Sequence, residues 1–141
     1  MIDETLVASQ PAFLAGVSKV CKTLLGIDAA ISLATGLPFL GVREVPTAVR
    51  VAYFSGEGGL SVLQEYGTRI AAAKGIALED VGGLLWCDRL PQLGSLAQLD
   101  ALREFLTDNE IGAVFLDPVY LCFPGDDNNN LIKQGDRKSV V

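Results

Sequence analysis

Three short and nearly continuous apolar runs place the tightest limit on how this chain folds. They are AFLAG (12–16), VRVAYFSGE (49–57) and GAVFLDP (112–118), and GLLWC (83–87) is a possible further strand. Runs of this length without apolar and polar alternation are typical of strands buried on both faces. The sequence therefore predicts a parallel sheet.

Segments with helical periodicity alternate with these runs. Helices are predicted over 22–35, 60–74 and 96–108, and Gly36 supplies a stop for the first of them. Parallel strands need crossover connections, which helices of this length provide. The predicted fold is α/β, a three-layer parallel sheet with helices on both faces, and the residues after Tyr120 have the turn chemistry of a loop.

Composition narrows the classes of function. The chain has 141 residues, of which 50% are hydrophobic, and this suffices for the core of one domain. It contains no histidine, which excludes Ser-His-Asp catalysis and histidine-ligated zinc. The net charge of −6 opposes a nucleic-acid platform on the domain itself, because phosphate contacts need clustered lysine and arginine.

The cysteines and the N-terminal sequence indicate the cellular compartment in which we expect the protein. Cys21, Cys87 and Cys122 are far apart and lack metal-ligand spacing, which is the pattern of reduced cytosolic thiols. The acidic start MIDETLVASQ lacks the features of a signal peptide, and no apolar stretch is long enough to span a membrane. We expect a cytoplasmic protein with no membrane partner.

The segment between the first apolar run and the first helix nearly matches a phosphate-binding loop. The usual pattern is Gly, four residues, Gly, Lys, and then Ser or Thr. Gly16, Lys22 and Thr23 occupy three of these positions, and Cys21 replaces the second glycine. The predicted phosphate-binding residues are Gly16, Val17, Ser18, Lys19, Val20, Cys21, Lys22 and Thr23.

In such a loop, backbone N–H groups and the start of the helix surround the phosphates with partial positive charge. Lys22 would reach the phosphates, and the Thr23 hydroxyl would ligate Mg²⁺. The alternative is an ordinary helix start with a lysine that faces solvent.

Two carboxylates follow apolar runs. Asp117 closes AVFLD, a place where a carboxylate can hold Mg²⁺ through water, and Glu57 could orient and deprotonate an attacking water. Taken singly, Asp117 could be a turn residue before Pro118, and Glu57 could be a solvated loop residue beside glycines. Together with the loop they stand at strand ends in the order expected of a nucleotide site, with ATP and Mg²⁺ as ligands.

The stretches FLAGVSKVCKTLLGIDAAISLATGLPFLG, VAYFSGEGG and VFLDP resemble the RecA-like ATPases of the RepA-type AAA group, relatives of hexameric replicative helicases. The resemblance covers about residues 11–130. It implies a Walker A motif with Lys22 and Thr23, a Walker B aspartate at Asp117 and a catalytic glutamate at Glu57. It also implies a P-loop NTPase core that hydrolyses ATP with Mg²⁺, a homo-oligomeric ring, and a DNA-associated, helicase-like activity in a full-length parent. Lys19 resembles a branch of the group in which the second glycine is not kept.

In that group another strand follows the Walker B strand and inserts beside the phosphate-loop strand. No segment after Asp117 has the apolar pattern of such a strand. We therefore expect residues 1–135 to be the N-terminal part of a RecA-like ATPase domain, incomplete at the C-terminus and inactive by itself. Residues 136–141, DRKSVV, are predicted to be a non-native tail, because they back-translate to a common sequencing adapter.

Two other functions stay open. One is a nucleotide-dependent regulatory switch with little hydrolysis, favoured by Cys21, whose side chain crowds a loop that approaches phosphate. The other is a P-loop phosphotransferase, which would need a lid for its acceptor. Because helix N-termini and nearby lysines favour the reactive thiolate, we expect Cys21 to be alkylated faster than Cys87 and to be protected by ATP.

Overall fold

A computed structural model of the chain describes residues 1–17 and 20–123. Within these ranges the longer elements are helices α1 (Lys22–Thr35), α2 (Gly59–Ala73) and α3 (Leu96–Asp108), and strands β1 (Arg50–Ser55), β2 (Leu84–Cys87) and β3 (Ile111–Asp117). Short 3₁₀ turns cover Leu78–Asp80 and Val119–Cys122. The predicted helices at 22–35, 60–74 and 96–108 are confirmed to within one residue at each end.

The three strands form one parallel sheet in the order β2-β1-β3. β1 lies in the middle, and its residues from Val51 to Ser55 are buried. Tyr53 stands opposite Trp86 on one neighbouring strand and opposite Phe115 on the other. The prediction of a parallel α/β sheet is confirmed.

The ladder between β1 and β3 contains one irregularity. Arg50 pairs with Ile111 and Val51 pairs with Ala113, so that Gly112 is left over. A Cβ at Gly112 would lie 2.9 Å from the Val49 Cβ, which explains why the residue has no side chain. From Val51 onward the register is regular to the end of both strands.

Helices cover both faces of the sheet. Tyr53 belongs to the core that α1 and α2 form on one face, together with Ile27 and Leu63. The next residue, Phe54, points the other way and meets Phe105 of α3 edge-on, with 5.9 Å between the ring centroids. This arrangement confirms the predicted three layers.

Helix α1 lies at the centre of the core. Ile27, Ala30 and Ile31 are fully buried, and the helix ends at Gly36, whose φ of 78° is the left-handed conformation common at such ends. An ion pair between Asp28 and Lys74, 3.1 Å long, joins α1 to the end of α2. Lys74 also donates to the Pro38 carbonyl over 2.9 Å, and this hydrogen bond fixes the segment that follows α1.

The predicted strand at 12–16 is wrong. Residues 11–16 form no strand, and Phe13 is 81% exposed. An apolar run becomes a strand only where a neighbour offers backbone partners, and within the described residues none of the three strands pairs with this segment.

The predictions that fall on residues 124–141, including the tail at 136–141, lie outside the described residues, as do those on Ser18 and Lys19. Of the predicted loop after Tyr120, the structure describes residues 121–123, and the first two of these belong to the 3₁₀ turn Val119–Cys122. No helix within the described ranges is long and apolar enough to cross a membrane.

Candidate functional site

The two predicted carboxylates lie at the paired ends of two strands, at the carboxyl edge of the sheet. Ser55 and Asp117 are paired residues at the ends of β1 and β3. One residue further on, the Gly56 N–H donates to the Asp117 carbonyl over 2.9 Å. Glu57 follows directly, so parallel pairing of β1 and β3 is what brings Glu57 and Asp117 to the same edge.

The Asp117 side chain accepts a hydrogen bond from a buried tyrosine. The Tyr53 hydroxyl donates to Asp117 Oδ2 over 2.8 Å, and Tyr53 is only 1% exposed. Burial, followed by the negative charge of Asp117 and this hydrogen bond, raises the pKa of Tyr53 far above its usual value. Tyr53 therefore stays a neutral hydrogen-bond donor, and the second oxygen of Asp117 is left for another partner.

The same hydroxyl approaches the first part of α1. A Cβ placed on Gly26 would lie 2.9 Å from the Tyr53 hydroxyl oxygen, so the helix backbone and the phenol are in close contact. Thr23 lies three residues before Gly26 and shares its helix face. Tyr53 thus connects Asp117 to the first part of α1, the helix that contains Thr23.

Glu57 is exposed in the loop after β1, and both its backbone and its side chain have partners. The Ser55 hydroxyl donates to the Glu57 carbonyl over 3.0 Å. The Tyr120 hydroxyl donates to Glu57 Oε1 over 2.8 Å, and this hydrogen bond, with smaller effects of burial and charge, raises the pKa of Tyr120. The carboxylate is therefore anchored from the 3₁₀ turn that follows β3.

Gly56, which precedes Glu57 and donates its N–H to the Asp117 carbonyl, is tightly enclosed. A Cβ there would lie 2.4 Å from Leu90 Cδ1 and 2.9 Å from Leu121 Cδ1. A side chain at this position would have to displace both leucines, so the close packing fixes the path of the loop that leads to Glu57.

The lysine of the predicted phosphate loop folds back onto that loop. Lys22 Nζ donates to the Gly16 carbonyl over 3.0 Å and to the Val17 carbonyl over 2.8 Å. The ammonium group therefore lies at the start of the segment that would surround phosphates. Val17 and Val20, which flank Ser18 and Lys19 in the sequence, are exposed.

Cys21 adopts a left-handed backbone conformation, which glycine adopts without strain. Its φ and ψ are 58° and 25°, the left-handed region that costs residues other than glycine about 1–2 kcal/mol. Cys21 is the N-cap of α1, and its side chain makes no capping hydrogen bond. The first N–H groups of α1 are therefore not capped by this side chain.

These groups fit a nucleoside triphosphate with Mg²⁺. The ammonium of Lys22 and the N-terminus of α1 suit phosphate, while the Thr23 hydroxyl and the second oxygen of Asp117 are the hard oxygen ligands that Mg²⁺ prefers. The described residues contain no cluster of three or more histidine, cysteine or acidic side chains that could hold a metal. Magnesium in nucleotide sites commonly uses one or two protein ligands, with phosphate and water as the others.

Sequence reasoning missed Tyr53, Gly26 and Tyr120 as parts of the site. A tyrosine in the middle of a buried strand is a signal for Tyr53, because its hydroxyl needs a partner inside the protein. Gly26 interrupts a helix that is otherwise well formed, and this signals a close approach. No local signal marks Tyr120.

Comparison with known proteins identifies a family for the chain. The sequence profile of a family described as an AAA domain matches residues 1–133. Neither the curated proteins nor the solved structures give a significant match. The fold and the profile together establish a nucleotide-binding, ATPase-type domain. The chain belongs to the AAA domain family of P-loop ATPases.

Proposed function

We propose that the chain is the ATP-binding part of a RecA-like ATPase related to the RepA-type group, which hydrolyses ATP with Mg²⁺. Residues 16–23 bind the phosphates, with Lys22 as their cationic partner. Thr23 and Asp117 hold Mg²⁺, and Glu57 is the catalytic base. The observation that supports this best is the placement of Glu57 and Asp117 at the ends of two paired strands, with Tyr53 connecting Asp117 to α1.

Each residue has a defined task in this reaction. Magnesium, when bound, neutralises charge that develops on the phosphates. Lys22 binds and orients the phosphate chain through its ammonium group. Glu57 orients a water molecule and accepts its proton at a carboxylate oxygen, for which Glu57 Oε1 has to exchange the Tyr120 hydroxyl for water or Glu57 has to use Oε2.

The parent protein is proposed to be a cytoplasmic homo-oligomeric ring with a DNA-associated, helicase-like activity. The resemblance to the RepA-type group supports this proposal. The net charge of −6 suggests that the basic surface for DNA belongs to other parts of such a parent. We further propose that residues 1–135 are the N-terminal part of its ATPase domain, inactive without the rest, and that residues 136–141 are a non-native tail.

Binding of ATP to this chain tests the first part of the proposal. Lys22→Ala should weaken binding of a fluorescent ATP analogue in the presence of Mg²⁺ by about tenfold or more, since a charge-assisted hydrogen bond is lost. Arg103→Ala is the matched control, because Arg103 is an exposed cation on α3 that pairs only with Asp100 among the salt bridges of the described residues. Equal affinity of Lys22→Ala and the unsubstituted chain would contradict the proposed phosphate site.

A regulatory switch with little hydrolysis is the second candidate. The hydrogen bond from Tyr120 to Glu57 favours it, because it engages an oxygen of the base that hydrolysis requires. Turnover by the full-length parent distinguishes the two candidates. An ATPase loses about a hundredfold or more of its rate in Glu57→Gln, as expected for removal of a general base, whereas a switch turns over slowly with either residue.

A further inference from the structure

We propose that Tyr53 is a positioning residue for the Mg²⁺ ligand Asp117, and that Gly26 makes this possible by leaving space for the Tyr53 hydroxyl. This inference rests on the proposed function, since it assigns a role to a residue that acts through Asp117. Tyr53 itself would touch neither nucleotide nor metal. Its hydroxyl would hold one carboxylate oxygen so that the other faces the cation.

The Tyr53 ring is held by both neighbouring strands. It stacks on Phe115, with centroids 5.5 Å apart and an angle of 15° between the rings, and it packs against Trp86 at 5.5 Å with a tilt of 52°. Both partners stand opposite Tyr53 in the sheet register. With almost no exposed surface, the ring has no room to swing, and the position of its hydroxyl is set by the sheet.

The hydroxyl then bridges two elements. On one side it donates to Asp117 Oδ2 over 2.8 Å. On the other it lies against α1, where a Cβ at position 26 would approach the oxygen to 2.9 Å and the ring carbons only to 3.5 Å and 3.6 Å. The conflict therefore involves the hydroxyl and not the ring.

Glycine inside a helix is unfavourable relative to alanine, so Gly26 in the second turn of α1 calls for a reason. The close approach of the Tyr53 hydroxyl supplies one. Gly26 and Tyr53 thus form a pair in which the small residue on the helix accommodates the polar group that orients the carboxylate. Partners that orient a metal ligand commonly affect metal affinity about tenfold or more.

Nucleotide binding with and without Mg²⁺ tests the role of Tyr53. A fluorescent ATP analogue is titrated into the full chain, in Mg²⁺ or in EDTA, and the ratio of the two affinities is the gain that Mg²⁺ provides. In Tyr53→Phe we expect this gain to fall by about tenfold, with the affinity in EDTA unchanged. Tyr66→Phe is the matched control, because Tyr66 is a half-buried tyrosine on α2 that packs against the same core, and it should keep the full gain.

Three results would overturn the inference. An undiminished Mg²⁺ gain in Tyr53→Phe would show that the hydroxyl does not position the ligand. An equal loss in Mg²⁺ and in EDTA would indicate a purely structural role. If the unsubstituted chain itself gains nothing from Mg²⁺, the proposed magnesium site fails first and the inference falls with it, a result distinct from the other two.

A stability cycle tests the pairing of Gly26 and Tyr53 without any nucleotide. Gly26→Ala should lower the midpoint of urea unfolding when Tyr53 is present, because the new methyl group collides with the hydroxyl. In the Tyr53→Phe background the same substitution should leave the midpoint unchanged or raise it, since the nearest ring atoms stand at ordinary contact distance. An equal fall in both backgrounds would contradict the pairing.

Discussion

The Tyr120 hydroxyl donates a 2.8 Å hydrogen bond to Glu57 Oε1, across 63 residues of sequence. It joins the 3₁₀ turn that follows β3 to the loop that follows β1, the two segments that leave the carboxyl edge of the sheet side by side. The proposed base is therefore held by a side chain from the element that follows the proposed metal ligand.

Removal of this hydroxyl should release Glu57. In the proposed full-length parent we expect Tyr120→Phe to raise ATP turnover about threefold, because water no longer competes with a phenol for the carboxylate. Steady-state turnover at saturating ATP is the measurement, and Tyr66→Phe is the control. A lower turnover in Tyr120→Phe would contradict the expectation and would mean that Tyr120 holds Glu57 in its reactive orientation.

Substitution of Cys21 should reveal the strain at the start of α1. Cys21→Gly removes the left-handed strain and Cys21→Ala keeps it, while both remove the thiol. We expect the relief of strain to make Cys21→Gly more stable than Cys21→Ala by about 1 kcal/mol. The higher entropy of the unfolded chain with glycine reduces this difference in the free energy of unfolding. Urea unfolding of the two variants measures the difference. A more stable Cys21→Ala would contradict the observed backbone conformation.

The three thiols should react at different rates. Cys21 is exposed, whereas Cys122 is buried and Cys87 is half-buried. Burial raises the pKa of the Cys122 thiol, and burial followed by the charge of Asp88 raises the pKa of the Cys87 thiol. A raised pKa means less thiolate at neutral pH, so alkylation of these two should be slow there and should accelerate as the pH increases.

Mass spectrometry after timed iodoacetamide treatment measures this order. We expect Cys21 to be modified first and to be protected when ATP and Mg²⁺ are present. Alkylation of Cys87 on the native chain as fast as that of Cys21 would contradict the first expectation, and equal Cys21 rates with and without ATP would contradict the second.

The pair between Asp28 and Lys74 should be a main stabilising contact outside the site. Only 8% of the Lys74 side chain and 16% of the Asp28 side chain are exposed, and Asp28 also accepts from the Leu40 N–H over 3.0 Å. Lys74→Met should lower the free energy of unfolding by about 3 kcal/mol, because a largely buried carboxylate loses its cation.

Arg69→Met provides the comparison for Lys74→Met. Arg69 also pairs with an acidic residue, Glu65, but both side chains are well exposed, and such pairs contribute little. Urea unfolding of both variants gives the two losses. Losses of the same size would contradict the buried character of the Asp28–Lys74 pair.

The fold and the two carboxylates were predictable because the signals for them are local. The runs before Glu57 and Asp117 are nearly continuous and end in polar residues, and the rule that parallel strands end at one edge places the two together. The helices were predictable for the same reason, because the residue that ends α1, Gly36, is a local stop.

What escaped prediction depends on partners distant in sequence. AFLAG has the composition of a strand, but composition does not tell whether another strand will pair with it, and Phe13 is exposed. Tyr53 and Asp117 are 64 residues apart, and their hydrogen bond follows from a register that the sequence alone does not fix. Gly26 is explained only once the Tyr53 hydroxyl is placed.

The extra residue of β3, Gly112, sets the register in which β3 pairs with β1 from Val51 onward. Because neighbouring strand residues point to opposite faces, a shift of β1 itself by one residue would exchange Tyr53 and Phe54. Asp117 would then lose its donor, and an apolar ring would lie under α1. A residue inserted just before Val51 can be accommodated where the ladder between β1 and β3 is already irregular. A residue inserted between Val51 and Ser55 turns the side chains that follow it to the opposite faces of the sheet and abolishes the site. Tolerance to insertion should therefore change abruptly within a single strand.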